Sequence, residues 1–215
     1  MQRERHHRWL NPVRLAESLV QHGEAVVGVE MYTAHVSGKI DLEGQQRQAL
    51  YLQALRTLEP QLRLHVGKFA IKERWVKPTG YPGARPEGYS WNEPLPELVE
   101  AWVAQEKESD VKLAVHLLHH GYQDEFDRAY VVSNDSDLTE AVRLVKEELC
   151  KEVVLVPPVP ERGGQSAPLA GKLREAASVV THIRSHHLAE CQFPQNVVKE
   201  NGRHVTRPRE WDDSS

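Results

Sequence analysis

The 215-residue chain holds two cysteines, Cys150 and Cys191. That is too few for a disulfide framework, and a reducing cytoplasm is the simplest setting. No apolar run approaches the roughly 18 residues needed to span a membrane. "MQRERHHRWL" at the start is positively charged but leads into no apolar stretch, which excludes a signal peptide. Charge of one sign is not in excess either, since the formal net charge is −4. Any contact with nucleic acid therefore depends on local patches, not a global basic field. The sequence has no glycine-rich phosphate loop and no Ser-His-Asp arrangement. What remains is an ordinary globular composition, 40% apolar and 27% charged, long enough for one domain with a real core.

The elements follow from spacing. Asn11 is a helix cap and Pro12 suits the first helical position of a helix bearing Leu15, Leu19 and Val20 and ending at Gly23. A buried strand is expected over Ala25–Ala34, then a helix over 45–58. Leu62, Leu64 and Val66 alternate with Arg63 and His65, marking a half-buried strand that continues past Gly67 to Val76. Residues 77–96 are rich in proline and glycine and read as a surface excursion. A strand follows near Val99–Val103, with a helix as the rival reading of that segment, then a helix capped by Ser109 with Val111, Ala114, Val115, Leu118 and Tyr122 at helical spacing. Further strands are expected at 128–133 and 152–158, and helices at 138–149 and 169–183. Cys150 is expected to be a core thiol. The domain is expected to occupy residues 1–190, with a polar tail over 191–215.

Strands alternating with helices, and too apolar to face water, point to an α/β fold with a mainly parallel sheet covered on both faces. In such a sheet, ligands gather at the carboxyl ends of strands. Asp110 and the pair Asp135/Asp137 fall there, the latter in "VVSNDSDL" (131–138), each after a strand and at a helix start. Single acids at such positions cap free N–H groups and complement the helix dipole. Three at one sheet edge repel each other unless a cation intervenes, and oxygen donors suit Mg²⁺ or Mn²⁺. Ser133 and Asn134 either orient a water or phosphate oxygen or complete the turn. His116, His119 and His120 share helical spacing but have no matching Cys or His set, so a zinc site is not expected. Lys68, Lys72, Arg74 and Lys77 form a basic run, read as a solvated strand edge able to meet phosphates if it lies beside the acids.

"EKESDVKLAVHLL" followed by "DEFDRAYVVSNDSDLTEAVRLV" resembles the NYN domain family, the PIN-like, LabA-like proteins. The resemblance implies a three-layer α/β/α fold and Mg²⁺- or Mn²⁺-dependent cleavage of RNA or single-stranded nucleic acid. Asp110, Asp135 and Asp137 match the family's metal-binding acids, and a homo-oligomer is possible. Two departures stand out. Glu108 occupies a position where the family usually has glycine. The family's opening strand, which ends in the first catalytic Asp, has no counterpart, because no Asp occurs before Asp41. One alternative is a non-catalytic binding or regulatory module. A distant one is a haloacid-dehalogenase-like phosphatase, since "DSDLT" matches its Asp-x-Asp-x-Thr pattern, although Ser133 and Asn134 separate the first Asp from the strand.

Overall fold

The computed structural model describes residues 5–78, 97–158 and 169–212. Most of the excursion at 77–96 and the loop after residue 158 lie outside the described residues. After a short 3-10 turn at Arg5–Trp9, helix α1 (Pro12–Leu19) opens as its sequence dictates. Asn11 Oδ1 accepts from Val13 N at 3.0 Å and Arg14 N at 3.1 Å, and Pro12 leads the first turn. The helix stops at Leu19, before Gly23, whose φ of 89° places it in the following turn. Strand β1 is shorter than expected, Val29–Ala34. Its first residue donates to Gln61 O at 2.9 Å, which fixes the start of the ladder. Helix α2 (Leu42–Leu55) begins earlier than its apolar spacing suggests, because Asp41 Oδ1 accepts from Gly44 N at 2.7 Å.

Strand β2 (Leu62–Val76) runs unbroken through Gly67 and changes partner there. Up to Gly67 it pairs in parallel with β1. From Lys68 onward it pairs antiparallel with β3 (Val99–Lys107). A side chain at 67 would bring its Cβ to 2.9 Å from the Lys107 carbonyl oxygen, so the changeover needs glycine. Lys68, Lys72 and Arg74 of the basic run therefore sit on the antiparallel β2–β3 arm and Lys77 just past it, and Lys72 and Arg74 share a shallow cleft with Lys107.

Helix α3 (Ser109–Tyr122) leads into β4 (Arg128–Val132), a 3-10 turn (Ser136–Leu138), α4 (Thr139–Glu147) and β5 (Glu152–Val156). The helix expected over 169–183 is instead α5 (Gly171–Ala176), a two-residue strand β6 (Val179–Val180) and α6 (Ser185–Glu190). Two β-branched residues and a serine explain the break. Ser178 N donates to Val153 O at 2.8 Å, Val153 N donates back to Ser178 Oγ at 3.1 Å, and Thr181 N donates to Leu155 O at 3.0 Å. The sheet captures the chain before a helix can continue.

The result is a mixed α/β architecture. The long strands divide between two three-stranded sheets, β1-β2-β3 and the all-parallel β4-β5-β6, where one mainly parallel sheet was expected. β5 is buried on both faces: Val153 and Leu155 pack with α3, α4 and α5, whereas Val154 and Val156 pack with Leu15 of α1 and Leu188 of α6. A third core surrounds Trp9. It takes Leu55 and Leu62 from the first half of the chain and Phe193, Val197, Val205 and Trp211 from the last. Val197 and Val205 belong to a hairpin, β7 (Asn196–Val198) and β8 (His204–Thr206). Cys191 is buried, but Cys150 is exposed, a correction to its reading as a core thiol. It follows α4 in a left-handed turn with φ 53°, which swings it out of the helix face that packs.

The segment between α1 and β1 is tied to the second sheet by Glu24. Its carboxylate accepts from Gln21 N and from the Tyr130 hydroxyl, each at 2.8 Å, and pairs with Arg128. These contacts, the Gln21 N–H foremost, hold the Glu24 pKa below the ordinary glutamate value of 4.5. A depressed carboxyl contributes stability above its unfolded pKa and loses it as pH falls through the folded one. Glu24→Gln is therefore expected to lower the thermal midpoint at neutral pH, with the gap closing below about pH 4. Melting curves across that range check it, and a gap constant with pH would contradict it.

Candidate functional site

Two groups of polar side chains stand out, both built around α3. The first is the aspartate edge. α3 runs antiparallel to β1 and, through a short loop, to β4, so the carboxyl ends of both strands meet the helix N-terminus. There α3 also packs against the 3-10 turn that follows β4. Asp110 lies exposed in the first turn of α3. Asp137 is exposed in the 3-10 turn and Asp135 is half-buried just before it.

Local hydrogen bonds explain why the chain turns sharply after β4. Ser133 Oγ accepts from Asp135 N at 3.1 Å, Asp135 Oδ1 accepts from Asp137 N at 2.9 Å, and buried Leu138 anchors the turn from below. Asn134 Oδ1 accepts from Ala170 N at 2.9 Å, so it holds the start of α5. Ser133 thus bonds within the turn, whereas Asn134 bonds across to α5. Asp135 caps through one oxygen, and a carboxylate so engaged retains a second for a cation. A cleft of about 540 Å³ opens beside the carboxyl end of β1, lined by His35, Ser37, Lys39, Gln45 and Gly67.

Ser109 is not the cap of α3. Glu108 takes that place, with φ 83° and no side-chain capping bond. This is the left-handed region, where an L-residue costs about 1–2 kcal/mol and glycine is at ease. The Glu108–Lys112 pair at 2.8 Å is exposed and offsets little. Glu108→Gly is expected to stabilise the chain by about 0.5–1 kcal/mol once glycine's own entropy is counted. Chemical denaturation would show the midpoint rising at unchanged slope; a fall would contradict the strain.

The second group was not legible in the sequence. Glu30 of β1, His65 of β2 and His116 of α3 bring one ligand atom each within 4.8 Å of one another, the one such trio of His, Cys, Asp or Glu among the described residues. The three aspartates form no such group. Glu30 and Tyr32 project from one face of β1, His65 pairs in register with Tyr32, and His116 and His120 come from one face of α3. His65 Nε2 lies 2.6 Å from Glu30 Oε2, and Arg63 donates to Glu30 Oε1 at 2.9 Å. The Tyr32 hydroxyl shares a 3.0 Å hydrogen bond with His116 Nδ1, and Tyr32 stacks on His65 at 4.9 Å. His120 Nε2 stands 3.6 Å from Glu30 Oε1, its Nδ1 held 2.6 Å from Glu125. Burial, then the nearby His65, lowers the His116 pKa below its ordinary value.

Asp110 and the Ser-Asn-Asp-Ser-Asp turn, on one helix–strand–turn unit, fall inside a single match to a known family. Residues 88–184 match the NYN domain family. The NYN match contains Asp110, His116, Asp135 and Asp137, whereas Glu30 and His65 precede it. Over 187 residues the chain is 28% identical to the 6-hydroxy-3-succinoylpyridine 3-monooxygenase HspA of Pseudomonas putida (strain DSM 28022 / S16). That alignment takes in 85% of this chain and 57% of the relative, so the chain spans little over half the length of the curated protein it matches. Among solved structures, a protein of unknown function from Vibrio parahaemolyticus RIMD 2210633 superposes with a TM-score of 0.46 at 17% identity, over 82% of this chain and 80% of that one. No helix among the described residues is long and apolar enough to cross a membrane.

Proposed function

We propose that this chain is a divalent-metal-dependent NYN nuclease of PIN-like, three-layer type that hydrolyses RNA phosphodiesters in the cytoplasm. The observation that carries the reading is the NYN match over residues 88–184, which takes in both acidic motifs, Asp110 at the start of α3 and Asp135 and Asp137 at the 3-10 turn against which α3 packs. Asp110, Asp135 and Asp137 are the residues to hold Mg²⁺ or Mn²⁺. Their fit to these ions is chemical: the donors are all oxygen, and Mg²⁺ binds through one or two carboxylates and keeps several waters. Carboxylates need not touch one another for that. Once bound, the ion polarises a phosphoryl oxygen and acidifies water.

The rest falls to the chain itself. Ser133 bonds within the turn that presents Asp135 and Asp137, and Asn134 ties it to the start of α5. Lys39 and His35 line the neighbouring cleft, and Lys72, Arg74 and Lys107 on the β2–β3 hairpin supply cations for a phosphate backbone. The test is cleavage of a labelled single-stranded RNA by the purified chain. Activity is expected with Mn²⁺, lost on chelation and regained on adding the ion back. RNA binding with no Mn²⁺-dependent cleavage would instead support a non-catalytic nucleic-acid-binding module.

The 28% identity over 187 residues favours a second reading, an oxygenase acting on a hydroxypyridine as the relative's name states of that protein. Consumption of 6-hydroxy-3-succinoylpyridine in the presence of a supplied two-electron donor, with matching uptake of oxygen and oxidation of that donor and without RNA cleavage, would put it first.

A further inference from the structure

We propose that Glu30, His65 and His116 form a binding site for one divalent transition-metal ion of the Zn²⁺, Co²⁺ or Fe²⁺ kind, separate from the aspartate edge. Two imidazoles and one carboxylate form a donor set that favours these ions over Mg²⁺. The proposal is independent of the nuclease reading, since it uses none of the three aspartates.

The placement argues for a built site. A helix packed on a parallel strand pair ordinarily buries aliphatic side chains at the contact. Here α3 instead directs His116 and His120 onto Glu30, Tyr32 and His65. Glu30 and His65 are each about three-quarters buried, so polar groups have been taken from water at an element junction. Ligand atoms within 4.8 Å of one another lie within about 1.5 Å of the separations of about 3.3 Å that bonds of about 2.0–2.1 Å around one tetrahedral centre require.

The surrounding residues are arranged as an outer layer. Tyr32 holds the His116 ring through Nδ1, and Arg63 steadies the Glu30 carboxylate. His120, oriented by Glu125, flanks the same carboxylate. Such partners orient ligating rings and carboxylates and raise their affinity. With three protein ligands the ion retains at least one open position, as exchangeable sites do. Asp110 lies six residues before His116, about 9 Å along the helix, so the two sites are distinct.

The test uses the purified full chain, stripped with a chelator and titrated with Zn²⁺ by calorimetry and with Co²⁺ by visible absorption. One equivalent is expected, with the d–d bands of a nitrogen- and oxygen-bound Co²⁺ and a Zn²⁺-dependent rise in melting temperature. His65→Asn and His116→Gln are each expected to weaken binding by at least about tenfold. Exposed His119→Gln and edge variant Asp135→Asn are expected to leave it unchanged. Glu30→Gln, close in shape, provides a second ligand variant should a histidine variant fail to fold. Less than one equivalent bound, or wild-type affinity in the folded ligand variants, would overturn the site and leave the cluster a hydrogen-bonded network.

Discussion

Asp135→Asn is expected to abolish Mn²⁺-dependent RNA cleavage while leaving the fold as stable as before. The residue carries two roles that this substitution separates. As a cap it accepts from Asp137 N at 2.9 Å, and an asparagine oxygen caps as well as an aspartate one. As a proposed ligand it supplies a negative charge that an amide lacks, and Mg²⁺ and Mn²⁺ depend on that charge. Loss of a carboxylate from such a site is expected to cost at least about 100-fold in rate, comparable to removing one catalytic electrostatic contact. Asp135→Ala, by contrast, would also lose the cap, at about 1 kcal/mol of stability. Cleavage rates and melting curves measured together decide the matter. Unchanged cleavage in Asp135→Asn would remove Asp135 from the site, and a lower melting point with unchanged rate would leave it a cap alone.

Trp9→Ala is expected to be the most destabilising single substitution in the described structure, at about 3–5 kcal/mol. Trp9 is fully buried and packs against Tyr51, Phe193 and Trp211 with ring centroids 5.7–6.1 Å away. Its indole N–H donates to Pro194 O at 2.9 Å, an acceptor the truncation would leave unpaired. A loss of this size is a large share of a typical total of about 5–15 kcal/mol and would lower the melting temperature by about 10 °C. Trp102→Ala is the control, because Trp102 is 59% exposed on β3 and its loss is expected to cost under about 0.5 kcal/mol. Similar melting points for the two variants would contradict the packing described.

Local features were legible in the sequence because local rules produce them. Asn11 with Pro12 and the alternation through Leu62–Val66 each announce themselves within a few residues, whereas the alternation of Val99, Ala101 and Val103 left a helix open until the pairing of β3 with β2 decided for the strand. The acidic pair after β4 was equally visible, and the glycine-like position of Glu108 showed through the family resemblance before its φ of 83° explained it. What escaped was long-range. Leu169 to Ile183 keeps helical periodicity, yet Val179–Val180 pair with β5, a partner no local pattern names. Phe193, Val197, Val205 and Trp211 read as isolated apolar residues in a polar stretch until they converge on Trp9. The histidine cluster was hidden for the same reason. His65 occupied the outward register of a half-buried strand, Glu30 sat 35 residues earlier, and only the i, i+4 spacing of His116 and His120 hinted at a shared face.

α3 packs against β1 and β2 at one flank and α4 at the other. It carries Asp110 at its tip and His116 midway along. An ion seated on the histidines would fix how far the helix slides and tilts over β1, and with it the reach from Asp110 to the turn of Asp135 and Asp137. Were an ion at one place to change affinity at the other, the second would change the first by the same factor, because thermodynamic linkage is reciprocal.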